Sequence, residues 1–348
     1  TGVGRYLECL LADWAETGLP WAETVVVLKD PSGLDRVPKA AGLRAEVMGA
    51  SWPGLAWEVG ALGRILRPDD LLFAPTNLIP PTWRGRSVLV LFDAIQEVLP
   101  EGFPWHVRWR FGPRYRQAAR RADRVLVPSW ATARDAERIY RVPADRLRVV
   151  APGLDPAFRP SAEEAVMARR VLGLGPHPFF LFVGKRSHRR NVPALLAAFH
   201  RHRQGHPDHR LVFVGDGSGR GLGHRRADPG VLDAGYVAEP ILRGLLSGAL
   251  ALFYPSAYEG FGLPVIEAMA CGCPVVTLRQ SALIEAGGAA ALYLEAATPD
   301  QLAQAMLALA TDPALRAERI ALGLARATRF RRADFAAAVR EELSAAAA

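Results

Sequence analysis

The chain has 348 residues, more than one hydrophobic core normally serves, so we expect two domains. Half of the residues are hydrophobic, yet the longest apolar runs, such as 88–92 and 249–254, are too short to cross a bilayer. The net charge is +8, but lysine occurs only at positions 29, 39 and 185 and arginine supplies the other basic residues. This is an arginine-rich composition, and we predict no nucleic-acid partner.

Three cysteines, Cys9, Cys271 and Cys273, are too few and too irregularly spaced for a disulfide framework or a metal site. They favour a reducing compartment, and we expect a cytoplasmic protein. The chain starts at Thr1 without a methionine or a signal-like segment, so we also expect that its true N-terminus lies upstream.

Short apolar runs bounded by Gly, Pro or Asp alternate with helical stretches in the first half, which is typical of a parallel α/β sheet. The predicted strands are 24–28, 71–74, 88–92, 124–128 and 147–150. A cluster of turn formers, Pro152-Gly153-Leu154-Asp155-Pro156, follows the last of them. We therefore place a domain boundary between residues 152 and 153.

Arginine alternates with aromatic residues between Trp105 and Arg116, and further arginines follow at 120, 121 and 124. Such a stretch could contact an anionic membrane surface or an acidic, lipid-linked acceptor. The other interpretation is an ordinary solvated helix face, and it is the one that the sequence alone slightly favours.

The same alternation continues in the second half and predicts a second parallel sheet. Its predicted strands are 179–184, 211–215, 251–254 and 274–278, and its predicted helices are 192–202, 264–270, 299–311, 313–329 and 333–345. Ligands of such sheets bind at the carboxyl ends of the strands, so the runs 214–217 and 235–237 are candidate ligand contacts.

Residues 259–264, Glu-Gly-Phe-Gly-Leu-Pro, form the most informative stretch of the chain. The two glycines let the backbone approach a ligand closely, and the proline suits the first turn of a following helix. Free N–H groups at Gly262 and Leu263 then favour an anion, most naturally a phosphate. We expect Glu259 at the solvent-facing mouth of this site and Glu267 about two turns inside the helix. The alternative is an ordinary turn whose Glu267 faces solvent.

One long stretch resembles the signature of glycosyltransferase family four: Pro255-Ser256-x-x-Glu259-Gly260-Phe261-Gly262-Leu263-Pro264-x-x-Glu267-Ala268-x-Ala270-x-Gly272-x-Pro274-Val275. The resemblance implies the GT-B fold, an α/β architecture of two Rossmann-like doubly wound parallel-sheet domains facing across a cleft. Residues 1–152 would form the acceptor-side domain and 153–331 the nucleotide-sugar domain. The helix in 332–348 would return to the first domain.

The resemblance also implies an activity. The protein would be a retaining glycosyltransferase that moves a sugar, with mannose and glucose as the first candidates, from a nucleoside diphosphate sugar to an acceptor hydroxyl. The acceptor would be a carbohydrate or a lipid-linked molecule in polysaccharide or glycolipid synthesis. No metal or other cofactor is expected. The departing phosphate oxygen can take the acceptor's proton on the same face, so no strong protein base would be needed.

Individual residues receive roles from the same resemblance. Glu259 would face the donor sugar, and Glu267 would hold the ribose hydroxyls. The backbone at Phe261, Gly262 and Leu263 would meet the sugar and the diphosphate.

Lys185 and Arg190, in the loop 183–191, would clamp the diphosphate, because fixed cations stabilise the charge that develops on the leaving group. Arg186 and Arg189 lie beside them, so the arginine that faces the phosphate stays open. Gly2 and Gly4 would belong to a glycine-rich loop that follows a first strand absent from the chain.

Phe92 stands where the family usually has a histidine that points to the donor sugar. Asp93 would then be the nearest polar group. This replacement keeps open a second interpretation, a non-catalytic protein that binds nucleotide sugar without transferring it.

Other classes of function are disfavoured by spacing. Histidines at 200, 202, 206 and 209 run off the end of a predicted helix among arginines and lack cysteine or carboxylate partners, so we predict no metal site. No Gly-x-Gly-x-x-Gly with an acidic residue about twenty positions on supports NAD binding. Glu259 and Glu267 lie on one element and would not flank a glycosidic bond as a glycosidase requires.

Overall fold

The computed structural model describes residues 2–19, 21–48, 57, 62–216 and 230–348, so Gly217 of the run 214–217 lies outside the described residues. The chain divides into two compact units, one formed by Thr1–Asp155 with Phe330–Ala348 and the other by Pro156–Arg329. Within the described ranges, no helix combines the length and the apolar character that crossing a bilayer requires.

The first unit is built on parallel strands covered by helices. Its strands are β1 Thr24–Leu28, β2 Leu43–Val47, β3 Leu72–Ala74, β4 Ser87–Val90, β5 Arg124–Val127 and β6 Leu147–Val149. Its helices are α1 Gly2–Thr17, α2 Leu62–Ile65, α3 Ile95–Val98, α4 Trp105–Arg121, α5 Trp130–Asp135 and the C-terminal α13 Arg332–Ala347. Strands β3 to β6 form one sheet in chain order, and β1 pairs with β2 in a separate ladder.

Helices α1 and α13 share one core with β4. Leu10 and Trp14 of α1 are buried in this core together with Val88 of β4 and Val339 of α13. Gly153, in the turn after β6, also lies close to α13, because a Cβ added there would be 2.9 Å from Phe335. The C-terminal helix therefore belongs to the first unit.

Gly2 and Gly4 lie in the first turn of α1, so the loop conformation expected for them is wrong. Tyr6, Leu10 and Trp14 repeat every four residues and are all buried, which gives α1 one continuous apolar face. Burial of that face stabilises the helix back to its first turn. The donor-binding role of the two glycines stays a prediction.

The second unit contains one parallel sheet of six strands with helices around it. Its strands are β7 Phe179–Val183, β8 Arg210–Val214, β9 Val231–Gly235, β10 Ala251–Tyr254, β11 Val275–Leu278 and β12 Leu292–Leu294. Its helices are α6 Ala162–Val171, α7 Val192–Arg203, α8 Glu239–Gly248, α9 Leu263–Ala270, α10 Leu283–Gly287, α11 Pro299–Thr311 and α12 Pro313–Ala327. The strand order is β12-β11-β10-β7-β8-β9.

The direction in which strands are added reverses at β7. The chain first steps from β7 to β8 and β9, then returns to β10 on the other side of β7 and continues to β11 and β12. β7 and β10 are direct neighbours, with Phe180 opposite Ala251. Ligands of open parallel sheets bind outside the carboxyl ends of the strands at such a switch point. Here those ends lead into residues 184–191 and 255–262.

The α/β class is confirmed, and each predicted strand lies within two residues of an observed one. Three observed strands, β2, β9 and β12, are absent from the predicted ranges. β2 reads Leu-Arg-Ala-Glu-Val, which alternates apolar and charged residues and lacks the continuous apolar run from which the other strands were predicted. β12 has only three residues, too few to show any pattern.

Candidate functional site

Two glycines shape the loops after β7 and β10. Gly184 has a φ of +131°, and a Cβ there would lie 1.6 Å from a guanidinium nitrogen of Arg190. Gly262 has a φ of +105° at the start of α9, and a Cβ there would lie 2.9 Å from Leu283. Glycine adopts these conformations without strain and leaves the space that the arginine and the leucine occupy.

Glu259 is the centre of this region, and its expected position facing solvent is wrong. Its exposed fraction is 8%. Tyr254 Oη and Ser256 Oγ donate hydrogen bonds to its Oε1 over 2.9 and 2.8 Å. Arg189 Nη1 lies 2.8 Å from Oε2, and Arg190 Nη2 lies 3.3 Å from Oε1. The carboxylate is thus held on both oxygens.

The charge state of this cluster follows from its partners. Burial by itself would raise the pKa of Glu259, but Arg190 and Arg189 favour the charged form and, with hydrogen bonds from Arg189 and Ser256, hold the pKa below its usual value. Burial and the nearby Glu259 carboxylate raise the pKa of Tyr254, so the phenol stays a neutral donor. Two guanidinium groups around one carboxylate leave the cluster with a net positive charge.

Arg190 is buried and fixed by several contacts. Its guanidinium lies 4.9 Å from the centre of the Tyr254 ring, and Nη1 is 3.4 Å from the Val183 carbonyl oxygen, to which it donates. Its Nε has no hydrogen-bond partner among the described residues, and neither does the buried Oγ of Ser187. The Nε–H of Arg190 and the hydroxyl of Ser187 are both hydrogen-bond donors, and two donors in one short loop suit an anion.

Lys185 differs from Arg190 in exposure. It lies on the surface of the loop that follows β7, three residues before the short 3₁₀ turn of His188–Arg190. A flexible exposed lysine provides a cation that can move toward a ligand, whereas the buried arginine is already held in place.

Helix α9 begins beside Glu259 and contains Glu267. Gly262 precedes the helix and offers no capping side chain, so the first amides of α9 receive no side-chain cap there. Ser281 Oγ donates to the Glu259 carbonyl oxygen over 2.8 Å and fixes the approach to the helix. Glu267 is the fifth residue of α9, little more than one turn inside it, and is 3% exposed. The alternative in which Glu267 simply faces solvent is therefore wrong.

The candidate residues of the first unit form a group of their own. Phe92 follows β4, and its ring packs edge-on against Tyr6 of α1 at 5.1 Å, which brings it near the helix that Gly2 and Gly4 begin. The Phe92 N–H donates to Asn77 Oδ1 over 2.9 Å. Asp93 Oδ1 accepts from the Ile95 N–H over 3.1 Å, so this carboxylate shapes the turn after the strand.

Sequence reasoning missed the partners that hold Glu259. Ser256 belongs to the Pro-Ser-x-x-Glu part of the motif, and its spacing of three residues was a usable signal. Tyr254 lies at the end of a buried strand and looked like core. Arg189 was one of three arginines at positions 186, 189 and 190, and the sequence does not show which of them contact Glu259.

Two family models match most of the described chain. A model described as Glycosyltransferase Family 4 matches residues 2–158, and one described as Glycosyl transferases group 1 matches residues 177–312.

The curated relatives described below are glycosyltransferases. A D-inositol 3-phosphate glycosyltransferase of Acidothermus cellulolyticus is 36% identical over 60% of this chain and 50% of its own length. O-antigen chain mannosyltransferase B of Escherichia coli is 28% identical over 75% of this chain and 71% of its own length. The chain thus spans about half of the length of the first relative.

Solved structures show the same fold along the whole chain. HepE of Anabaena, solved in complex with UDP and glucose, has a TM-score of 0.76 at 18% identity and covers 99% of this chain and 96% of its own. Sucrose-phosphate synthase of Thermosynechococcus elongatus has a TM-score of 0.76 at 21% identity, with coverages of 97% and 91%. The predicted GT-B fold is confirmed, and the chain belongs to glycosyltransferase family 4.

Proposed function

We propose that the protein is a retaining glycosyltransferase that uses a nucleoside diphosphate sugar and transfers mannose or glucose to an acceptor hydroxyl. The observation that carries the proposal is the net positive cluster of Glu259, Arg189 and Arg190 at the switch point of the second-unit sheet. The names of relatives support the choice of sugar, because one is a mannosyltransferase and HepE was solved with UDP-glucose.

The proposed reaction follows from where the charge develops. The bond between the sugar's anomeric carbon and the diphosphate breaks, and the acceptor oxygen bonds to that carbon from the same face. The acceptor's proton passes to the departing phosphate oxygen, so no strong protein base is needed. Lys185, Arg190 and the first amides of α9 would stabilise the diphosphate, which gains negative charge in the transition state.

The two glutamates would orient the donor. Glu259 holds the arginine pair in place through its two ion pairs and would face the sugar, and Glu267 would bind the ribose hydroxyls. The backbone of Phe261, Gly262 and Leu263 would lie along the sugar and diphosphate. In this proposal the donor site needs no metal ion.

A donor panel tests the proposal. The protein is incubated with glucose and mannose donors carrying different nucleotides, and release of nucleoside diphosphate is measured with and without simple glycoside acceptors. Acceptor-dependent release and a product with the donor's anomeric configuration by NMR are expected. An inverted product would contradict retention, and binding without release from any donor would contradict the enzyme.

A second candidate is a non-catalytic nucleotide-sugar-binding protein, which the position of Phe92 favours. Phe92 packs against Tyr6 and cannot donate a hydrogen bond to a sugar. Loss of a general acid or base typically costs about a hundredfold to ten-thousandfold in rate. This candidate predicts donor binding without turnover in the natural chain and a gain of activity in Phe92→His. Turnover by the unmodified protein would exclude it.

We also propose that α4 contacts an anionic membrane or a lipid-linked acceptor at the cytoplasmic face of that membrane. Trp105 and Trp109, one turn apart, are 75% and 78% exposed. They line a groove of about 840 Å³ together with Arg108 and Arg116. Exposed indoles beside guanidinium groups suit the boundary between headgroups and acyl chains, where apolar and anionic groups meet.

Vesicle sedimentation tests this surface. The protein should bind phosphatidylglycerol vesicles and not phosphatidylcholine vesicles, and the Trp105→Ala/Trp109→Ala variant should lose most of that binding. Trp130→Ala is the control, because Trp130 is 65% exposed on a different helix. Equal loss in the control, or no binding by the natural chain, would restore the interpretation of α4 as a solvated helix.

A further inference from the structure

Three histidines meet at the amino ends of β7 and β8, the opposite ends from those that carry Glu259. His202 is in the last turn of α7, His206 is in the turn that follows, and His209 immediately precedes β8. The sequence predicted no metal site, because the histidine positions extend past the end of the predicted helix. The turn instead folds back, and His202 Nε2 lies 2.9 Å from His209 Nδ1.

We propose that His202, His206 and His209 form a binding site for one divalent transition-metal ion, with Zn²⁺ as the ion that they suit best. Each residue offers one ring nitrogen, and these three atoms lie within 4.8 Å of one another. Three imidazoles are a known donor set for zinc, which also accepts a water molecule as fourth ligand. Hard cations such as Mg²⁺ prefer oxygen and are poor candidates.

The geometry requires one small rearrangement. Nitrogens bound to the same tetrahedral zinc lie about 3.4 Å apart at a Zn–N distance of about 2.05 Å. The His202 and His209 nitrogens need to separate only slightly. The rings of His202 and His206 are stacked at 12°, so His206 must turn its ring to aim a nitrogen at the same ion. His206 is half-buried, while the other two are buried.

The surroundings hold two of the ligands in place. The Phe180 ring packs edge-on against His202 at 5.2 Å and lies 6.0 Å from His209, which backs the site with an apolar wall. The neighbouring cations are directed elsewhere, because Arg203 and Arg210 donate to the Pro207 carbonyl oxygen over 3.0 and 3.3 Å. Those contacts also fix the turn that places His206.

The metal would stabilise the second unit and take no part in transfer. It would join the end of α7 to the start of β8 and so close the turn 203–208. Strand β7 has five residues, about 16 Å at 3.3 Å per residue, and separates this site from the loop at 184–191. The inference is therefore independent of the proposed function.

Zinc binding to the untagged, chelator-treated full chain tests the proposal. Calorimetry should give one Zn²⁺ per chain, and Co²⁺ should produce the visible absorption of a tetrahedral site. At zinc concentrations about 100-fold above Kd, the thermal midpoint should rise by roughly 5 °C or more. Mg²⁺ should have no such effect.

Matched variants distinguish zinc binding by the three histidines from zinc binding by exposed histidines elsewhere on the surface. His206→Ala removes the half-buried ligand with the least risk to folding and should weaken zinc binding at least tenfold and abolish the thermal shift. His200→Ala is the control, because His200 is an exposed histidine on the same helix. Natural-chain binding no tighter than that of His206→Ala, or an equal loss in His200→Ala, would overturn the proposal. Circular dichroism spectra matching the natural chain show that each variant is folded.

Discussion

Each end of the sheet in the second unit carries a buried polar cluster. The central group of one cluster is charged, and that of the other is neutral. At the carboxyl end, two arginines keep the pKa of Glu259 low, so the carboxylate stays charged. At the amino end, burial and then the neighbouring His209 and His206 lower the pKa of His202 to about 4, so the imidazole stays neutral near pH 7. Burial disfavours the charged form in both, and at Glu259 the two arginines outweigh it.

This difference predicts different responses to mutation. The carboxyl-end cluster is internally paired, so removing one member leaves a buried charge without its partner. At the amino end, burial lowers the pKa of His202 and His209 and favours their neutral forms, so removing one of these rings leaves no buried charge without its partner. The first cluster should therefore be sensitive to any change, and the second should be sensitive mainly when a cation is present.

The largest effect is expected for Glu259→Gln. The amide keeps the shape but leaves Arg189 and Arg190 without a carboxylate, so the unfolding free energy should fall by about 3 kcal/mol. Transfer should fall at least a hundredfold. Urea denaturation and donor turnover measure the two effects, with exposed Glu163→Gln as control. Natural stability together with natural turnover would show that Glu259 neither holds the arginines nor serves the reaction.

Much of the carboxyl-end site was readable in the sequence, because its chemistry needs unusual residues at fixed spacing. Gly262 and Pro264 predicted the start of the helix α9. Glu259 was identified as a candidate because it lies between a buried strand and Gly260. The sequence did not show that Glu259 is buried, because the residues that enclose it come from the end of β10, the loop after β10 and the 3₁₀ turn after β7. The partner of a buried carboxylate is a property of strand order, here the adjacency of β7 and β10.

The amino-end cluster could not be predicted for a related reason. Metal-site patterns rely on ligands placed by one regular element or by familiar loop lengths. Here His202 ends a helix and His209 starts a strand, and only the reversal of the chain between them brings the rings together. The sequence shows four nearby histidines but not which three converge.

The next largest effect is expected for the two cations at the carboxyl end of the sheet, Lys185 and Arg190, which should differ in their effect on stability. Lys185→Ala should weaken nucleoside diphosphate binding by about 1.5 to 3 kcal/mol and leave stability unchanged, because the side chain is exposed. Arg190→Ala should weaken the same binding and also lower stability, because this arginine is buried against Glu259 and Tyr254. Calorimetry with the nucleoside diphosphate and with the nucleoside alone measures both.

Lys39→Ala is the matched control for the exposed lysine. The free nucleoside should bind each variant as it binds the natural chain, since it has no phosphate for the cations to contact. If nucleoside binding weakens as much as diphosphate binding, these side chains support the fold of the pocket and do not clamp the phosphates.

Acid should affect the two ends in different pH ranges. The folded-state pKa of His202 is about 4, below its ordinary value of 6.5, so the unfolded chain takes up a proton first and stability is lost as pH falls from about 6.5 toward 4. The pKa of Glu259 is also lowered, so its contribution is present above its ordinary value of 4.5 and is lost only below that pH.

Urea unfolding with a chelator present at pH 7, 5.5 and 4.5 checks this order. The natural chain should lose stability already between pH 7 and 5.5, and His202→Phe should lose less over the same interval. His206, His209 and Asp208 also act on His202, and Asp208 opposes the loss because its carboxylate favours the charged ring. An identical slope in His202→Phe would assign the acid sensitivity to other groups.

The smallest effect, close to none, is expected for coupling between the two ends. Sites that share no partner and lie more than about 7–10 Å apart act independently within about 0.5 kcal/mol, and β7 separates these two by its whole length. His206→Ala should therefore leave nucleoside diphosphate affinity within about twofold of the natural value, with or without zinc, and should add to Lys185→Ala without interaction. Calorimetry on the single and double variants measures the interaction free energy. A larger value would show that the turn 203–208 and the loop 184–191 communicate through α7, which connects them along the chain, and the two ends would then have to be treated as one coupled site.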